Sequence, residues 1–131
     1  MTRIKIAKAK WDFAKDGGAT GTIVPKISAT IPKGAVIKDV KVKVNTIVTG
    51  GVGATVALSG GGVTLKVAES IANSVYAGTG VVDVIRTGNA GATGTAKYIP
   101  ITATNSAKIA VVVAGAALTA GKLEIFVEYT V

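Results

Sequence analysis

The sequence has no histidine, no cysteine and a single tryptophan, and aromatic side chains make up only 5% of its 131 residues. Each shortage excludes a class of chemistry. Without His or Cys there is no Ser-His-Asp triad, no thiolate nucleophile, no zinc or haem site of the usual kinds and no disulfide framework. The expectation is a protein that is not an enzyme and holds no cofactor or metal. Acidic residues are also few, because 15 Lys and Arg face 7 Asp and Glu for a formal charge of +8. Such an excess invites a nucleic-acid reading, which two further shortages oppose. Arginine, the side chain best suited to bidentate phosphate and base contacts, occurs only as Arg3 and Arg86. Only Trp11 and Phe13 stand among the lysines as aromatics that could stack on bases.

Long apolar runs are missing too. The longest, residues 109–118, contains Gly115 and is about half the ~20 residues a membrane-spanning helix needs. The opening residues 1–8 alternate charged with apolar side chains and do not read as a signal peptide. A soluble single domain, residues 1–131, is therefore expected, long enough to bury about two thirds of the surface its unfolded chain exposes.

The positive charge is unevenly placed. Residues 1–43 hold ten basic and three acidic side chains, Asp12, Asp16 and Asp39, while residues 44–131 hold five and four. Nearly all the excess therefore sits in the first third. It is either a solvated face whose lysines guard sheet edges or an electropositive surface for an acidic partner.

Gly, Thr, Val and Ile dominate the rest, and apolar residues recur at period two, the pattern of half-buried strands. In the last strand Leu123, Ile125, Val127, Tyr129 and Val131 share a core face, with Lys122, Glu124, Phe126, Glu128 and Thr130 opposite. After the turn at Pro32-Lys33-Gly34, Val36, Val40, Val42 and Val44 point inward while Ile37, Asp39, Lys41 and Lys43 point outward. Shorter strands are expected at residues 26–31, 54–59, 63–67, 80–85, 95–103 and 107–113, separated by glycine-containing turns. Pro100 marks its segment as an edge or a bulge. One short helix is a candidate at residues 68–73. The fold class is all-β, a single antiparallel β-sandwich or jelly roll of about eight strands. Residues 1–20 form an N-terminal basic arm or an edge strand. Ile4 and Ile6 occupy one alternation phase and Ala7, Ala9, Trp11 and Phe13 the other, so burying both sets requires a bulge near Ala7 or packing on a neighbouring subunit.

What chemistry remains finds little support. Glu124 and Glu128 are about 13 Å apart along a strand, beyond the ~5–9.5 Å of a glycosidase pair. Asp12 and Asp16, around Lys15 and before Gly17-Gly18, read as turn chemistry, and they lack the ligand spacing of a calcium loop. The glycine-rich stretches at residues 51–56 and 91–97 lack the spacing of phosphate-binding loops and read as hairpin turns. Carbohydrate binding would need exposed aromatics such as Trp11 or Tyr98. Phe126, an aromatic between two glutamates on the polar face, packs under a loop or makes a subunit contact.

Two segments together carry a family resemblance. Ile27-Ser28-Ala29-Thr30-Ile31-Pro32-Lys33-Gly34-Ala35-Val36-Ile37 with the Val40, Val42, Val44 alternation, and the ending Ala120-Gly121-Lys122-Leu123-Glu124-Ile125-Phe126-Val127-Glu128-Tyr129, resemble small β-sandwich virion proteins of tailed bacteriophages. The resemblance implies a capsid decoration, or cement, protein: a homotrimer on the outer capsid surface of the virion, made in the host cytoplasm and partnered with the major capsid protein. Within that reading Arg3, Lys5, Lys8, Lys10, Trp11, Phe13, Lys41, Lys43 and Phe126 are inferred capsid or subunit contacts. Two other readings stay open, a host-facing carbohydrate-binding or tail-fibre-associated module and a nucleic-acid-binding β domain.

Overall fold

The computed structural model of the chain describes residues 4–71, 80–83 and 101–131. Its elements in order are β1 (Ile4–Asp12), α1 (Phe13–Asp16), β2 (Gly21–Ile23), β3 (Ile27–Ser28), β4 (Thr30–Ile31), β5 (Val36–Gly50), β6 (Thr55–Gly60), β7 (Val63–Ser70), β8 (Gly80–Asp83), β9 (Ile101–Thr102), β10 (Ala107–Lys108), β11 (Ala110–Ala114) and β12 (Leu118–Thr130). Eight of these strands have three residues or more. One sheet runs β3-β1-β12-β5-β8, with β9 also pairing β5, and a second runs β2-β11-β6-β7. The pair β10-β4 forms a short separate ribbon. All pairings are antiparallel.

The period-two pattern explains why the sheets meet as they do. Ala7, Ala9 and Trp11 of β1, Leu123, Ile125 and Val127 of β12, and Val40, Val42 and Val44 of β5 all face one side and are buried. They share a single core cluster with Val56 and Leu58 of β6, Leu65 of β7, and Val111 and Val113 of β11. Two sheets with one apolar face each thus bury those faces against one another, which makes the chain an all-β sandwich. Full burial of one such Val, Leu or Ile stabilises by about 1.5–3 kcal/mol. The β6–β7 hairpin closes through Gly61 and Gly62, at φ 60° and 77°, the two positive values that a two-residue hairpin loop matching the strand twist requires.

Four expectations are corrected. No bulge occurs near Ala7, because β1 pairs with β12 in unbroken register from Ile4–Thr130 to Asp12–Lys122. Ile4 and Ile6 consequently stay on the outer face, 67% and 62% exposed. The bulge lies in β5 instead: Asp39 is opposite Glu128 but Ile37 is opposite Tyr129, so Lys38 is the extra residue. That insertion switches phase and brings Ile37 to the core with Val40. Residues 68–70 continue strand β7 rather than starting a helix, and 72–73 fall outside the described residues. Val131, placed by alternation on the core face, lies beyond the end of β12 and is 66% exposed.

The one described helix is the single turn α1. Asp12 caps it, accepting from the Ala14 amide at 3.0 Å. The Asp16 carboxylate accepts from the amides of Asp12 at 3.0 Å and Lys26 at 2.9 Å. Both acids therefore hold a turn together. Among the described residues no helix is long and apolar enough to cross a membrane.

Candidate functional site

The outer face of the larger sheet gathers Lys8, Lys10, Lys41 and Lys43, four of the ten basic residues in the first third of the chain. Because β1 and β5 flank β12 and all three alternate in phase, their outward residues stand in rows across the sheet. Lys8, Phe126 and Lys41 form one row, and Lys10, Glu124 and Lys43 the next. Above them lie Ile6, Glu128 and Asp39, and below them Asp12, Lys122 and Thr46. Residues more than 110 positions apart in sequence are thereby neighbours.

Glu124 is the centre of this grid. Its Oε1 lies 3.4 Å from Lys8 Nζ and 3.8 Å from Lys10 Nζ, and its Oε2 lies 3.8 Å from Lys43 Nζ. The Asn45 side-chain amide donates to Oε2 at 3.0 Å. That hydrogen bond, with the hydrogen bond and charge of Lys8 and the charge of Lys10, holds the Glu124 carboxyl below the ordinary glutamate value of 4.5, against an opposing effect of partial burial. The Lys8 ammonium also stands 5.3 Å from the centre of the Phe126 ring, within cation–π range. Lys41 pairs with Asp39 at 3.6 Å and Lys122 with Asp12 at 3.9 Å.

Height separates the charges. Lys8, Lys10, Lys41 and Lys43 side chains are 43–48% exposed, whereas those of Glu124 and Asp39 are each 15% exposed. The carboxylates sit low and the ammonium groups stand above them, so an approaching molecule meets positive charge first. Beside Glu124 lies an open groove of about 420 Å³ whose walls mix Lys10, Lys15, Lys26 and Lys122 with Asp12, Asp16 and Glu124.

Of the contact residues expected from sequence, the structure brings Lys8, Lys10, Lys41, Lys43 and Phe126 together on this face. Lys5 is exposed but belongs to the opposite alternation phase of β1, and Arg3 lies outside the described residues. Trp11 is a correction. It is 1% exposed, within the core, with its indole N–H donating to the Gly17 carbonyl at 2.9 Å, so no partner can reach it in this fold. Phe13 is half-buried and packs against the same core. The burial of Trp11 also removes one of the two aromatics a sugar platform was expected to use, and the other, Tyr98, is outside the described residues. Sequence reasoning missed Glu124 and Asn45 as organising residues and Ile4 and Ile6 as exposed ones. Among the described residues no cluster of acidic side chains is arranged to hold a metal ion.

No family model matches the chain, and no curated protein matches it by sequence. Two solved structures are similar to it. A chain of the acidic stable capsid structure of Helicobacter pylori bacteriophage KHP30 superposes with a TM-score of 0.54 at 15% identity, over 100% of this chain and 94% of that one. A chain of the cyanophage Pam1 capsid asymmetric unit gives a TM-score of 0.51 at 16% identity, over 99% of this chain and 86% of that one. At these identities the likeness is one of fold: the chain is a β-sandwich of the kind that two phage capsid structures contain.

Proposed function

We propose that the chain is a structural virion protein that decorates and braces the outside of a bacteriophage head as a cement protein, self-associated as a homotrimer beside the major capsid protein. The observation that carries this reading is the fold likeness over essentially the whole chain to chains of two phage capsids. Such a role needs binding surface rather than reactive groups, which fits a chain lacking His and Cys. Val24, Ile47 and Val52, large aliphatic side chains 51%, 44% and 103% exposed, are available for a subunit contact.

The test is reconstitution. Purified protein added to purified, expanded heads that lack it binds stoichiometrically at physiological salt and raises the temperature at which the heads rupture. Heads that take up no protein under those conditions, or that rupture unchanged when saturated, refute the role.

A further inference from the structure

We infer that the outer face of β1, β12 and β5 is the side of the molecule that seats on its partner, and that the partner presents a carboxylate-rich protein surface there. The inference rests on the decoration role only for the identity of the partner, the capsid shell. The choice of face and of chemistry comes from the charges themselves.

Three observations converge on it. Four ammonium groups, those of Lys8, Lys10, Lys41 and Lys43, stand in two adjacent rows above two low carboxylates, Glu124 under Lys8, Lys10 and Lys43 and Asp39 beside Lys41. Four ammonium groups against two carboxylates leave two positive charges in that patch for an external partner. Glu124 and the Phe126 ring hold the lysine stems over the sheet: Lys8, Lys10 and Lys43 converge on the carboxylate, and Lys8 also covers the ring. The ammonium groups are thus partly ordered before a partner arrives, which lowers the entropy lost on docking. Ile4 and Ile6 continue the same face of β1, and Ile27 sits opposite Lys10 across the β1–β3 pair, all three more than half exposed. A cationic centre with an apolar border fits a folded protein surface that carries acids beside aliphatic groups.

Other occupants fit less well. A second copy of this chain would bring the same lysines against their own kind, and like charges set face to face are repelled. Nucleic acid would find ammonium groups but, among the described residues, no arginine and no exposed aromatic stack on the face.

The test uses two triple variants that lose the same charge. The face variant is Lys8→Gln/Lys41→Gln/Lys43→Gln, which leaves Lys10 with Glu124. The control is Lys5→Gln/Lys33→Gln/Lys108→Gln, all three exposed and off the face. Both are first shown to melt at the wild-type temperature with the wild-type oligomeric size. Exposed ion pairs are worth about 1.4- to fivefold each in affinity, so the face variant should bind heads about threefold to a hundredfold more weakly, with the control weakened less than the face variant. Equal weakening of both variants, or of neither, overturns the inference. A change of oligomeric size in the face variant alone overturns it as well, in favour of a second copy. Poly-L-glutamate agarose is the arm that does not depend on the capsid: the face variant elutes at lower salt than the control. Should wild-type protein ignore heads, the decoration role fails while this arm still decides the inference. Co-elution of the two variants there, or stronger face-dependent retention on duplex DNA than on poly-L-glutamate at equal salt, overturns it.

Discussion

Replacing Trp11 discriminates most sharply between a residue that builds the fold and one that touches a partner. Its side chain is 1% exposed, its indole N–H donates to Gly17 O at 2.9 Å, and its ring lies so close to Gly121 that a Cβ there would be 2.9 Å from Cζ3. A buried tryptophan removes roughly 150–250 Å² from water, about 4–6 kcal/mol at ~25 cal/mol per Å². Measured truncations of buried Phe and Trp cost about 3–5 kcal/mol, and we adopt that range for Trp11→Ala. A domain of this size is stable by about 5–15 kcal/mol, so the variant gives up about a fifth or more of its stability. The melting temperature should fall by about 10–20 °C. Trp11→Phe keeps most of the apolar contact but leaves the Gly17 carbonyl without its donor, at a cost of about 1–2 kcal/mol. Because Trp11 is the only tryptophan, unfolding in urea is followed by far-ultraviolet circular dichroism rather than by fluorescence. Trp11→Ala within about 1 kcal/mol of wild type would place the indole outside the core. So would a Trp11→Phe protein of near-native stability that no longer binds heads, since a side chain sealed between the sheets cannot be a contact.

Two further outcomes test the packing and the electrostatics. Glu124 has its carboxyl lowered below 4.5 in the folded state, so it stabilises the fold above that pH and its contribution is lost as pH falls through the lowered value. Urea midpoints of wild type and Glu124→Gln should differ at pH 7 and converge toward pH 3; a constant gap would show that Glu124 is not the titrating group. Gly121 is at φ 139°, and a Cβ there would lie 3.0 Å from the Val48 Cα as well as against Trp11. Gly121→Ala should therefore cost about 1–3 kcal/mol more than Gly34→Ala, where φ is 86° and nothing stands within 4 Å. Equal unfolding midpoints for the two variants would contradict the close packing at Gly121.

What could be read from sequence was whatever one strand decides by itself. The alternation Leu123, Ile125, Val127 against Glu124, Phe126, Glu128 has only one amphipathic solution, and the structure adopts it. Strict alternation back from Val40 puts Val36 inward and Ile37 outward, and the structure reverses this for Ile37, because the bulge at Lys38, set by pairing with β12, shifts the phase. In β1 the rule that apolar residues are buried misled, since Ile4 and Ile6 lie on the outer phase and remain exposed. Residues 68–70 were too few for a helical period to be distinguished from the end of a strand. The three residues of β2 held no alternation to see. The lysines and Phe126 were legible as outward residues, but their convergence on Glu124 was not. That convergence depends on which strands flank β12 and in what register, and a single sequence carries no such cross-strand information.

The dimensions of the lysine face bear on how a decoration protein of this fold could hold its place. Three strands at ~4.8 Å spacing, nine residues long at ~3.3 Å each, present a face of about 14 Å by 30 Å, or about 400 Å². A specific protein contact buries about 800 Å² on each partner. One copy of the face thus supplies about half of what a stable contact needs, and its exposed lysines add encounter rate and register more than affinity. Three copies joined as the proposed trimer present about 1,200 Å² in all. Once one copy is seated, the other two bind from the high local concentration that the shared assembly imposes. On this reasoning the proposed self-association and the lysine face are parts of one device. Firm attachment follows from their combination, because the trimer without the lysines has no preferred face and the face without the trimer has too little area.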